Sequence, residues 1–369
     1  MTNRLLDLDI STNYTLHSFN FVTYINTIMN KLGIILDDRY FDHQIEAASH
    51  ESPNRLRELF PAVRKRYNGD LRIITPHEAN TETIEKVHSN FYLSQIREHA
   101  LKSNPFSYDQ DTYLMQQSLA TAQLAAGGCL EIADQIMNGE IDHGFALIRP
   151  PGHHAEPGRG MGFCILNNIA ITAKYLQTHY NLSRILIIDF DVHHGNGTQE
   201  VFYDTNQVLF VSIHQKNLFP FSGAPEEIGN EQGRGYNINI PVHSQFGDAE
   251  YTYLLGKTLQ GLAVQFMPQI ILVSAGYDGH VEESISATTL STQWYHTATT
   301  MLKQAAKDIC DSRLLFVLEG GYNPISLEKS VLKTIDSMLE PETKRVGVLH
   351  SARAAQLLIN HPLHDFWTL

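Results

Sequence analysis

The stretch Arg184-Ile-Leu-Ile-Ile-Asp-Phe-Asp-Val-His-His-Gly-Asn-Gly197 carries the strongest fold signal in this 369-residue sequence. Its four aliphatic residues, 185–188, predict a strand that is buried on both faces of a parallel sheet. Asp189, Asp191 and His193 follow at every second position, so on extended chain their side chains would share one face. Buried carboxylates need a cation to offset the cost of desolvating their charges. The stretch therefore predicts a metal site, although a solvated Asp-x-His loop is the simpler alternative for this motif alone.

Composition predicts one folded α/β domain over residues 1–369, with residues 1–40 as an N-terminal extension packed on it. The chain is 43% hydrophobic and 18% charged, and we find no linker, repeat or low-complexity segment. No apolar run approaches the length of a membrane span, and the start lacks the apolar core of a signal peptide. The 3 cysteines are far apart and form no Cys-x-x-Cys pair. We therefore expect a cytoplasmic protein without membrane contact, disulfides or a thiolate zinc site.

The formal net charge of −13 limits the classes of partner. Phosphate binding needs clusters of Lys and Arg, which are missing from the sequence, so direct binding of nucleic acid is not expected. An acidic protein could attract a cationic substrate. The sequence does not determine the oligomeric state, and a homodimer stays open.

Strand and helix patterns alternate along most of the chain. Aliphatic runs predict strands at residues 71–74, 145–148, 185–188, 208–213, 236–240, 270–274 and 314–318. Helical spacing predicts helices at residues 81–100, 113–137, 167–178, 250–266, 293–309, 325–339 and 351–358, after a helical and loop-like segment at 1–65. This alternation is typical of a parallel sheet covered by helices on both faces, in which sites form beyond the carboxyl ends of the strands.

Three further strand ends carry polar side chains. Arg149-Pro-Pro-Gly-His-His154 follows one strand, and its adjacent imidazoles could divide the work of base and electrostatic support. Asp278 follows another strand and would complete a three-ligand set with Asp191 and His193, as catalytic zinc sites require. Such a site would also accept iron(II), cobalt or manganese. Tyr322 follows paired glycines after the last strand and offers a hydroxyl donor. The simpler alternatives are a surface histidine pair without a metal and a tyrosine that only packs.

Five motifs in order resemble the zinc-dependent histone deacetylase family, most closely its class II and bacterial amidohydrolase branch, which is related to the acetylpolyamine amidohydrolases. They are Arg149-Pro-Pro-Gly-His-His-Ala-Glu-Pro157, Met161-Gly-Phe-Cys164 with Asn167-Asn168, Asp189-Phe-Asp-Val-His-His-Gly-Asn-Gly-Thr-Gln199, Ser274-Ala-Gly-Tyr-Asp278 and Glu319-Gly-Gly-Tyr322. The resemblance implies the three-layer α/β/α arginase-deacetylase fold around a mostly parallel sheet. It also implies hydrolysis of an acetylated amine.

The resemblance assigns a role to each catalytic position. The zinc ligands would be Asp191, His193 and Asp278. His154 would act as general base and acid, while His153, oriented by Asp189, gives electrostatic support. Asn196 stands where much of the family has an aspartate beside the second histidine, and a neutral partner should leave His154 less basic. The Tyr322 hydroxyl would stabilise the oxyanion.

The resemblance also implies a substrate tunnel and two structural potassium ions. The substrate-binding residues would be the tunnel walls Phe163 and Phe219, the narrowing glycines Gly162 and Gly321, the rim carboxylate Asp111, and Ile285 beyond the last zinc ligand. The inner potassium would lie among Asp189, Asp191, His193, Ser212 and Ile213. The outer potassium would lie among Phe202, Thr205, Val208 and Tyr236.

The choice of substrate depends on the loop after Asp278. Polyamine-specific relatives carry a glutamate at the position that aligns with Ile285, so an acetylated or acylated lysine in a protein or peptide, such as a histone-like tail, is the preferred substrate. Acetylpolyamine is the alternative, because Glu282 and Glu283 lie close by in sequence. A silent acetyl-lysine binding module is a third interpretation, which the intact Tyr322 disfavours. An arginase-like manganese enzyme would need ligands for a second metal ion.

Overall fold

Eight strands form one parallel sheet in the computed structural model, which describes residues 32–45, 49–102, 104–341 and 345–368. The strands are β1 (Leu32–Ile35), β2 (Arg72–Ile73), β3 (Phe106–Ser107), β4 (Tyr113–Leu114), β5 (His143–Ala146), β6 (Ile185–Asp189), β7 (Val208–Gln215), β8 (Asn237–Val242), β9 (Ile270–Ala275) and β10 (Leu314–Leu318). The order in the sheet is β2-β1-β5-β10-β9-β6-β7-β8, and β3 and β4 form a separate antiparallel pair.

The centre of the sheet is apolar on both faces. Every residue of β6, β9 and β10 is buried, including those at consecutive positions whose side chains point to opposite faces. β6 pairs with β9 and with β7, and β9 pairs with β10, each in parallel. The carboxyl ends of these strands therefore meet at one edge of the sheet, which brings the loops that follow them together.

Helices supply the outer layers. They are Asn54–Arg57, Leu59–Arg66, Thr81–Ile84, Asn90–Ala100, Ser118–Met137, Asn168–His179, Asn196–Phe202, Asp248–Lys257, Val264–Phe266, Thr292–Ile309, Pro324–Leu339 and Ala352–Ile359, with a π-helical segment at Thr258–Ala263. Thr292–Ile309 packs on Pro324–Leu339, and Ser118–Met137 packs on Asn168–His179. No helix in the described parts of the chain combines the length and the apolarity needed to cross a bilayer. The architecture agrees with the predicted α/β fold around a parallel sheet.

The paired glycines of the long helix explain its close packing. A Cβ at Gly127 would collide with the backbone of His77 and Ala79, and a Cβ at Gly128 would lie 2.9 Å from both Ile35 and the Tyr40 hydroxyl. This helix therefore lies directly against the segment that carries β1 and against the loop that follows β2.

Several predicted boundaries are wrong. Residues 32–40 do not belong to an extension, because β1 is an interior strand between β2 and β5; residues 1–31 lie outside the described residues. The helix predicted over 113–137 begins at Ser118, because Tyr113–Leu114 pairs with Phe106–Ser107. The helix predicted over 81–100 is divided, because the Ser89 hydroxyl caps a new helix by accepting from the backbone of Tyr92. The single-domain count stays a prediction.

Candidate active site

Asp191, His193 and Asp278 meet at the carboxyl edge of the sheet. Asp191 and His193 lie in the loop after β6, and Asp278 lies in the loop after the neighbouring β9. The Nδ1 atom of His193 is 3.1 Å from Asp191 Oδ1 and 3.0 Å from Asp278 Oδ2. Within the described residues, this is the one group of three potential metal ligands whose ligand atoms all lie within 4.8 Å of one another. The sequence-predicted ligand set is brought together.

These distances suit a tetrahedral cation. Ligand atoms about 2.0–2.1 Å from a tetrahedral zinc ion lie roughly 3.3 Å from one another. The spacing around His193 Nδ1, 3.0 and 3.1 Å, is close to that value. Two carboxylates and one imidazole also form an accepted donor set for catalytic zinc, with a position left for water or substrate. The residues present therefore fit the metal.

The backbone around the two carboxylates is built for close approach. Gly320 donates its N–H to Asp191 Oδ2 at 2.8 Å, and Val192 donates to Asp278 Oδ1 at 3.1 Å. A Cβ at Gly276 or Gly320 would collide with these carboxylates. Glycine is therefore needed at both positions, because only a residue without a Cβ lets the ligand oxygens approach this closely.

The electrostatics of the cluster favour a bound positive charge. Burial opposes charge on His193, but hydrogen bonds to Asp191 and Asp278 outweigh it and raise the pKa of His193 to about 9. Burial, and then the charge of Asp191, raise the pKa of Asp278. Burial alone would also raise the pKa of Asp191, but the charge of His153 and hydrogen bonding to His193 outweigh burial and lower that pKa. The two carboxylates thus favour a protonated, positively charged His193 imidazole. A bound divalent cation would supply that positive charge in place of the proton.

The predicted interpretation of Asp189 as a member of the same strand face is wrong. β6 ends at Asp189, and the following residues leave the extended conformation, so the period of two does not continue to Asp191 and His193. The Oδ2 atom of Asp189 instead lies 3.0 Å from His153 Nδ1. Asp189 therefore orients a histidine, as the family resemblance implies.

The two adjacent histidines have opposite electrostatic environments. Burial opposes the charged form of His153, but Asp189 and Asp191 outweigh burial and raise the pKa of His153 to about 10. Burial lowers the pKa of His154 well below its ordinary value, and the nearby charges of His153 and His193 act in the same direction. The ring centroids are 4.0 Å apart. A pair whose pKa values are pushed apart can provide a neutral base beside a cationic group.

Tyr322 stands close to the ligand cluster. Its ring lies 5.3 Å from the ring of Phe163, and the Arg55 guanidinium lies 4.9 Å above it. Burial raises the pKa of Tyr322 well above its ordinary value, and the charges of Asp278 and Asp191 add to the effect. The phenol therefore stays protonated and can act as a hydrogen-bond donor.

Phe219 and Gly162 border the approach to His154. The Phe219 ring lies 5.1 Å from the His154 ring and 6.4 Å from the His193 ring. An added Cβ at Gly162 would lie 2.6 Å from His154 and 2.7 Å from Phe219. Phe163, which follows Gly162 with a φ of 68°, contacts Tyr322 on the other side. These aromatic rings are half-buried, and their role as tunnel walls stays a prediction.

The remaining predicted substrate residues lie at different depths. Asp111 is exposed, and it is Asp109 in the same loop that accepts from the backbone N–H of Gly162 at 3.1 Å. Ile285 is half-buried in the loop after Asp278. A Cβ at Gly321 would meet Tyr277 and Leu327, so this glycine packs inward. The substrate roles of Asp111, Ile285 and Gly321 stay predictions.

The residues assigned to structural potassium lie around β7. Ser212 and Ile213 belong to β7, and Ser212 is paired in register with Asp189 at the end of β6. Residues 202–208 connect the helix Asn196–Phe202 to β7, and the backbone oxygen of Tyr236 accepts from β7 at 2.9 Å. The structure thus gathers each set near one strand, and potassium binding stays a prediction.

A buried network of charged side chains, which the sequence does not predict, supports the backbone of the site. Glu51 accepts from Arg149 Nε at 2.5 Å and Nη2 at 2.7 Å, and its carboxylate also lies 3.3 Å from Arg55. Arg55 in turn donates to the backbone oxygens of Gly321, at 2.6 Å, and Glu319. Glu51 and Arg55 lie 4 residues apart, but Arg149 lies 98 residues from Glu51, and the backbone oxygens that accept from Arg55 lie more than 260 residues away, so no local pattern could have revealed the whole network.

Two glutamates, Glu319 in the last motif and Glu283 in the loop after Asp278, also hold the backbone of the site. Glu319 accepts from the N–H groups of Gly152, at 2.7 Å, and His153, at 3.1 Å. Burial outweighs these interactions and raises the pKa of Glu319 to about 7. Glu283 accepts from the N–H of Tyr322 at 2.8 Å. The position of Glu319 directly before the paired glycines was a usable signal; Glu283 had none beyond its nearness to Asp278.

Comparison with known proteins agrees with this geometry. The family described as Histone deacetylase domain matches residues 49–338 of the chain. The chain belongs to the histone deacetylase family. A crystal structure of the HDA15 HD domain is similar to this family member with a TM-score of 0.83 and 31% identity, over 92% of this chain and 96% of that chain.

Curated relatives of this deacetylase-family chain span archaea, plants and animals. A probable deacetylase of Archaeoglobus fulgidus is 36% identical over 294 residues, which cover 79% of this chain and 81% of that protein. Histone deacetylase 14, chloroplastic, of Arabidopsis thaliana is 37% identical, over 71% of this chain and 64% of that protein. Human histone deacetylase 9 is 40% identical, over 66% of this chain and 25% of that protein. The chain thus spans less than two thirds of the plant and human relatives. The family assignment and these relatives support a hydrolytic deacetylase.

Proposed function

We propose that the chain is a zinc-dependent lysine deacetylase, which hydrolyses the amide of acetylated or acylated lysine in proteins or peptides. The observation that carries the proposal is the convergence of three buried ligand side chains with the His154 imidazole, whose ring centroid lies 5.9 Å from that of His193, and with the Tyr322 phenol, whose ring lies 5.3 Å from that of Phe163. Asp191, His193 and Asp278 would hold the zinc; iron(II) or cobalt would suit the same ligands. Potassium would be structural. We place the protein in the cytoplasm, although two plant relatives are described as chloroplastic.

When bound, zinc would polarise the acyl carbonyl and make a water molecule more acidic. His154 is neutral because its pKa is lowered by burial, so it can accept a proton from the attacking water. His153 is held cationic beside it and stabilises negative charge that develops in the site. Tyr322 donates its hydroxyl to the acyl oxygen as that oxygen becomes negative. The proton then passes to the departing amine from the imidazole that accepted it.

The loop after Asp278 supports a lysine substrate over a polyamine. Glu283 is buried, and its Oε1 atom accepts from the backbone N–H groups of Tyr322 and Asn323 at 2.8 and 2.9 Å. Its carboxylate is therefore engaged inside the protein instead of facing a second ammonium group. Ile285 offers no charge, and Glu282 is the exposed carboxylate of this loop. Acetylpolyamine hydrolysis stays the alternative because of Glu282.

A substrate panel tests the proposal. Zinc-loaded protein is incubated with an acetyl-lysine peptide, longer acyl-lysine peptides and acetylspermidine, and release of the free amine is measured. We expect turnover of the peptides, and loss of turnover in Asp278→Asn. Exclusive cleavage of acetylspermidine would replace the lysine proposal with the polyamine alternative. Peptide binding without turnover would instead identify a binding module.

A further inference from the structure

The side chain of Asn196 bridges the proposed catalytic base and a second carboxylate. Its Oδ1 atom lies 2.8 Å from His154 Nδ1, and its Nδ2 atom donates to Glu156 Oε1 at 2.8 Å. Asn196 is 8% exposed, whereas the Glu156 side chain is 25% exposed and borders an open groove. Among the described residues, the Glu156 carboxylate is thus joined by a hydrogen bond to the site through Asn196.

The surroundings of Asn196 fix which end of its amide faces the histidine. The groups around Nδ2 are all acceptors: the Glu156 carboxylate, Met161 Sδ at 3.3 Å and the His154 backbone oxygen at 3.5 Å. Of these, the carboxylate is the nearest and the charged one, so it makes the strongest bond. With Nδ2 held there, Oδ1 must accept from His154, which places the ring proton on Nδ1 and leaves Nε2 free to accept a proton.

An asparagine does not enforce this arrangement by itself. If its amide were rotated by half a turn, Nδ2 would donate to His154 Nδ1 and stabilise the tautomer whose Nε2 already carries the proton. An aspartate could not stabilise that tautomer, because both of its carboxylate oxygens are hydrogen-bond acceptors. Replacing the family's aspartate with Asn196 thus creates a need for a group that fixes the amide.

We propose that Glu156 is a positioning residue that fixes the Asn196 amide and thereby keeps His154 in the tautomer that can act as a base. The inference rests on the proposed function for the role of His154. The Glu156 carboxylate also pairs with Arg159 at 3.6 Å, but the Arg159 side chain is 56% exposed, and such pairs contribute little to stability. Removing the carboxylate therefore perturbs the amide without opening the core.

Glu156→Ala is the direct test, with Glu200→Ala as the matched control. Glu200 lines the same groove and has no bond to Asn196. We expect kcat of Glu156→Ala toward an acetyl-lysine peptide to fall about tenfold, the factor for about 1.4 kcal/mol of a charge-assisted hydrogen bond, with KM unchanged. Glu156→Gln keeps an acceptor oxygen and should recover most of the loss. Glu200→Ala should behave as wild type.

The Asn196→Asp background separates positioning from a general structural effect. A carboxylate has no donor end to misplace, so adding Glu156→Ala to Asn196→Asp should cause no further fall in kcat. Nitrogen-15 NMR of the histidine rings, with His154 assigned by its loss in His154→Gln, should show the Nδ1–H tautomer in wild type and less of it in Glu156→Ala.

The outcomes separate this inference from the proposed function. Equal losses of kcat in both backgrounds, or an unchanged tautomer and unchanged kcat in Glu156→Ala, would overturn the positioning role. Absence of lysine deacetylation in wild-type protein would contradict the proposed function, while the ring tautomer would still report on Glu156.

Discussion

Replacing Glu51 with glutamine should destabilise the protein strongly at neutral pH. Glu51 is fully buried, and its carboxylate lies between the guanidinium groups of Arg149 and Arg55. Burial alone would raise the pKa of Glu51, but the two arginines outweigh it and lower the pKa from 4.5 to about 2. Glutamine is close in shape to the protonated acid, so the variant resembles Glu51 held permanently in its uncharged form.

The magnitude follows from the pKa of Glu51 in the folded protein. A fall from 4.5 to about 2 corresponds to about 3 kcal/mol of stability that the ionised carboxylate contributes. Loss of one partner from a buried ion pair costs a similar amount, roughly 3–5 kcal/mol, because it leaves buried charge without compensation. Because the pKa of Glu51 is lowered on folding, the contribution is complete above pH 4.5 and is lost as pH falls from 4.5 toward 2.

Urea unfolding, followed by circular dichroism at pH 7, 5.5, 4.5 and 3.5, measures the effect. Glu140→Gln is the matched control, because Glu140 pairs with Arg72 at the surface and should contribute at most about 1 kcal/mol. We expect Glu51→Gln to be less stable than wild type by about 3 kcal/mol at pH 7, with a smaller difference at pH 3.5. If Glu51→Gln lowers the free energy of unfolding by no more than Glu140→Gln does, the reasoning about this network is wrong. It is also wrong if the difference in stability between wild type and Glu51→Gln does not shrink at low pH.

Two further substitutions test the reaction site and its approach. Tyr322→Phe should lower kcat toward an acetyl-lysine peptide by about 10²–10³-fold, the usual effect of removing one oxyanion donor, with little change in peptide binding. Tyr175→Phe is the control, because it removes a hydroxyl that bonds Asp134 and none of the proposed catalytic residues. Equal kcat values for the two variants would contradict the role of Tyr322. Gly162→Ala should raise KM by about tenfold or more, because the added Cβ would meet His154 and Phe219 and because a φ of 56° strains an L-residue. Gly158→Ala is the control and should leave KM unchanged, because a Cβ at Gly158 meets no neighbour. An unchanged KM in Gly162→Ala would show that Gly162 does not line the tunnel.

The ligand residues could be predicted because each follows an aliphatic strand. The aliphatic residues before Asp191 and before Asp278 predict parallel strands, and the carboxyl ends of parallel strands lie at the same edge of the sheet. The pattern does not show that β6 stops at Asp189, so it places that residue on the same face as the metal ligands. After the strand, the backbone N–H groups of Asp191 and His193 donate to the carboxylates of Asp189 and Asp191, each two residues earlier, and these local turns replace the extended conformation.

The missed elements share a physical cause. β1 is four residues long, Leu32–Ile35, and becomes a strand because β2 and β5 flank it, which no local pattern records. The start of the long helix was placed too early because apolar Tyr113–Leu114 fits either a helix or a short hairpin strand. The same hairpin determines that Asp109, and not Asp111, reaches the Gly162 backbone.

Supporting charges were the least predictable part of the site. Glu51, Arg55 and Arg149 converge from positions up to 98 residues apart, and their pairing depends on where the sheet brings the chain. Sequence motifs therefore identify the residues that face the reaction, while the residues that hold them in place emerge from the packing.

Metal binding by chelator-stripped protein is the most direct measurement of the central claim. Zinc is titrated calorimetrically into the stripped wild-type chain and into Asp278→Asn, and metal content is checked by elemental analysis. We predict one tightly bound zinc ion per wild-type chain, with binding lost or greatly weakened in the variant. A wild-type chain that binds no zinc, or an Asp278→Asn chain that binds it equally well, would contradict the assignment of Asp191, His193 and Asp278 as the metal ligands.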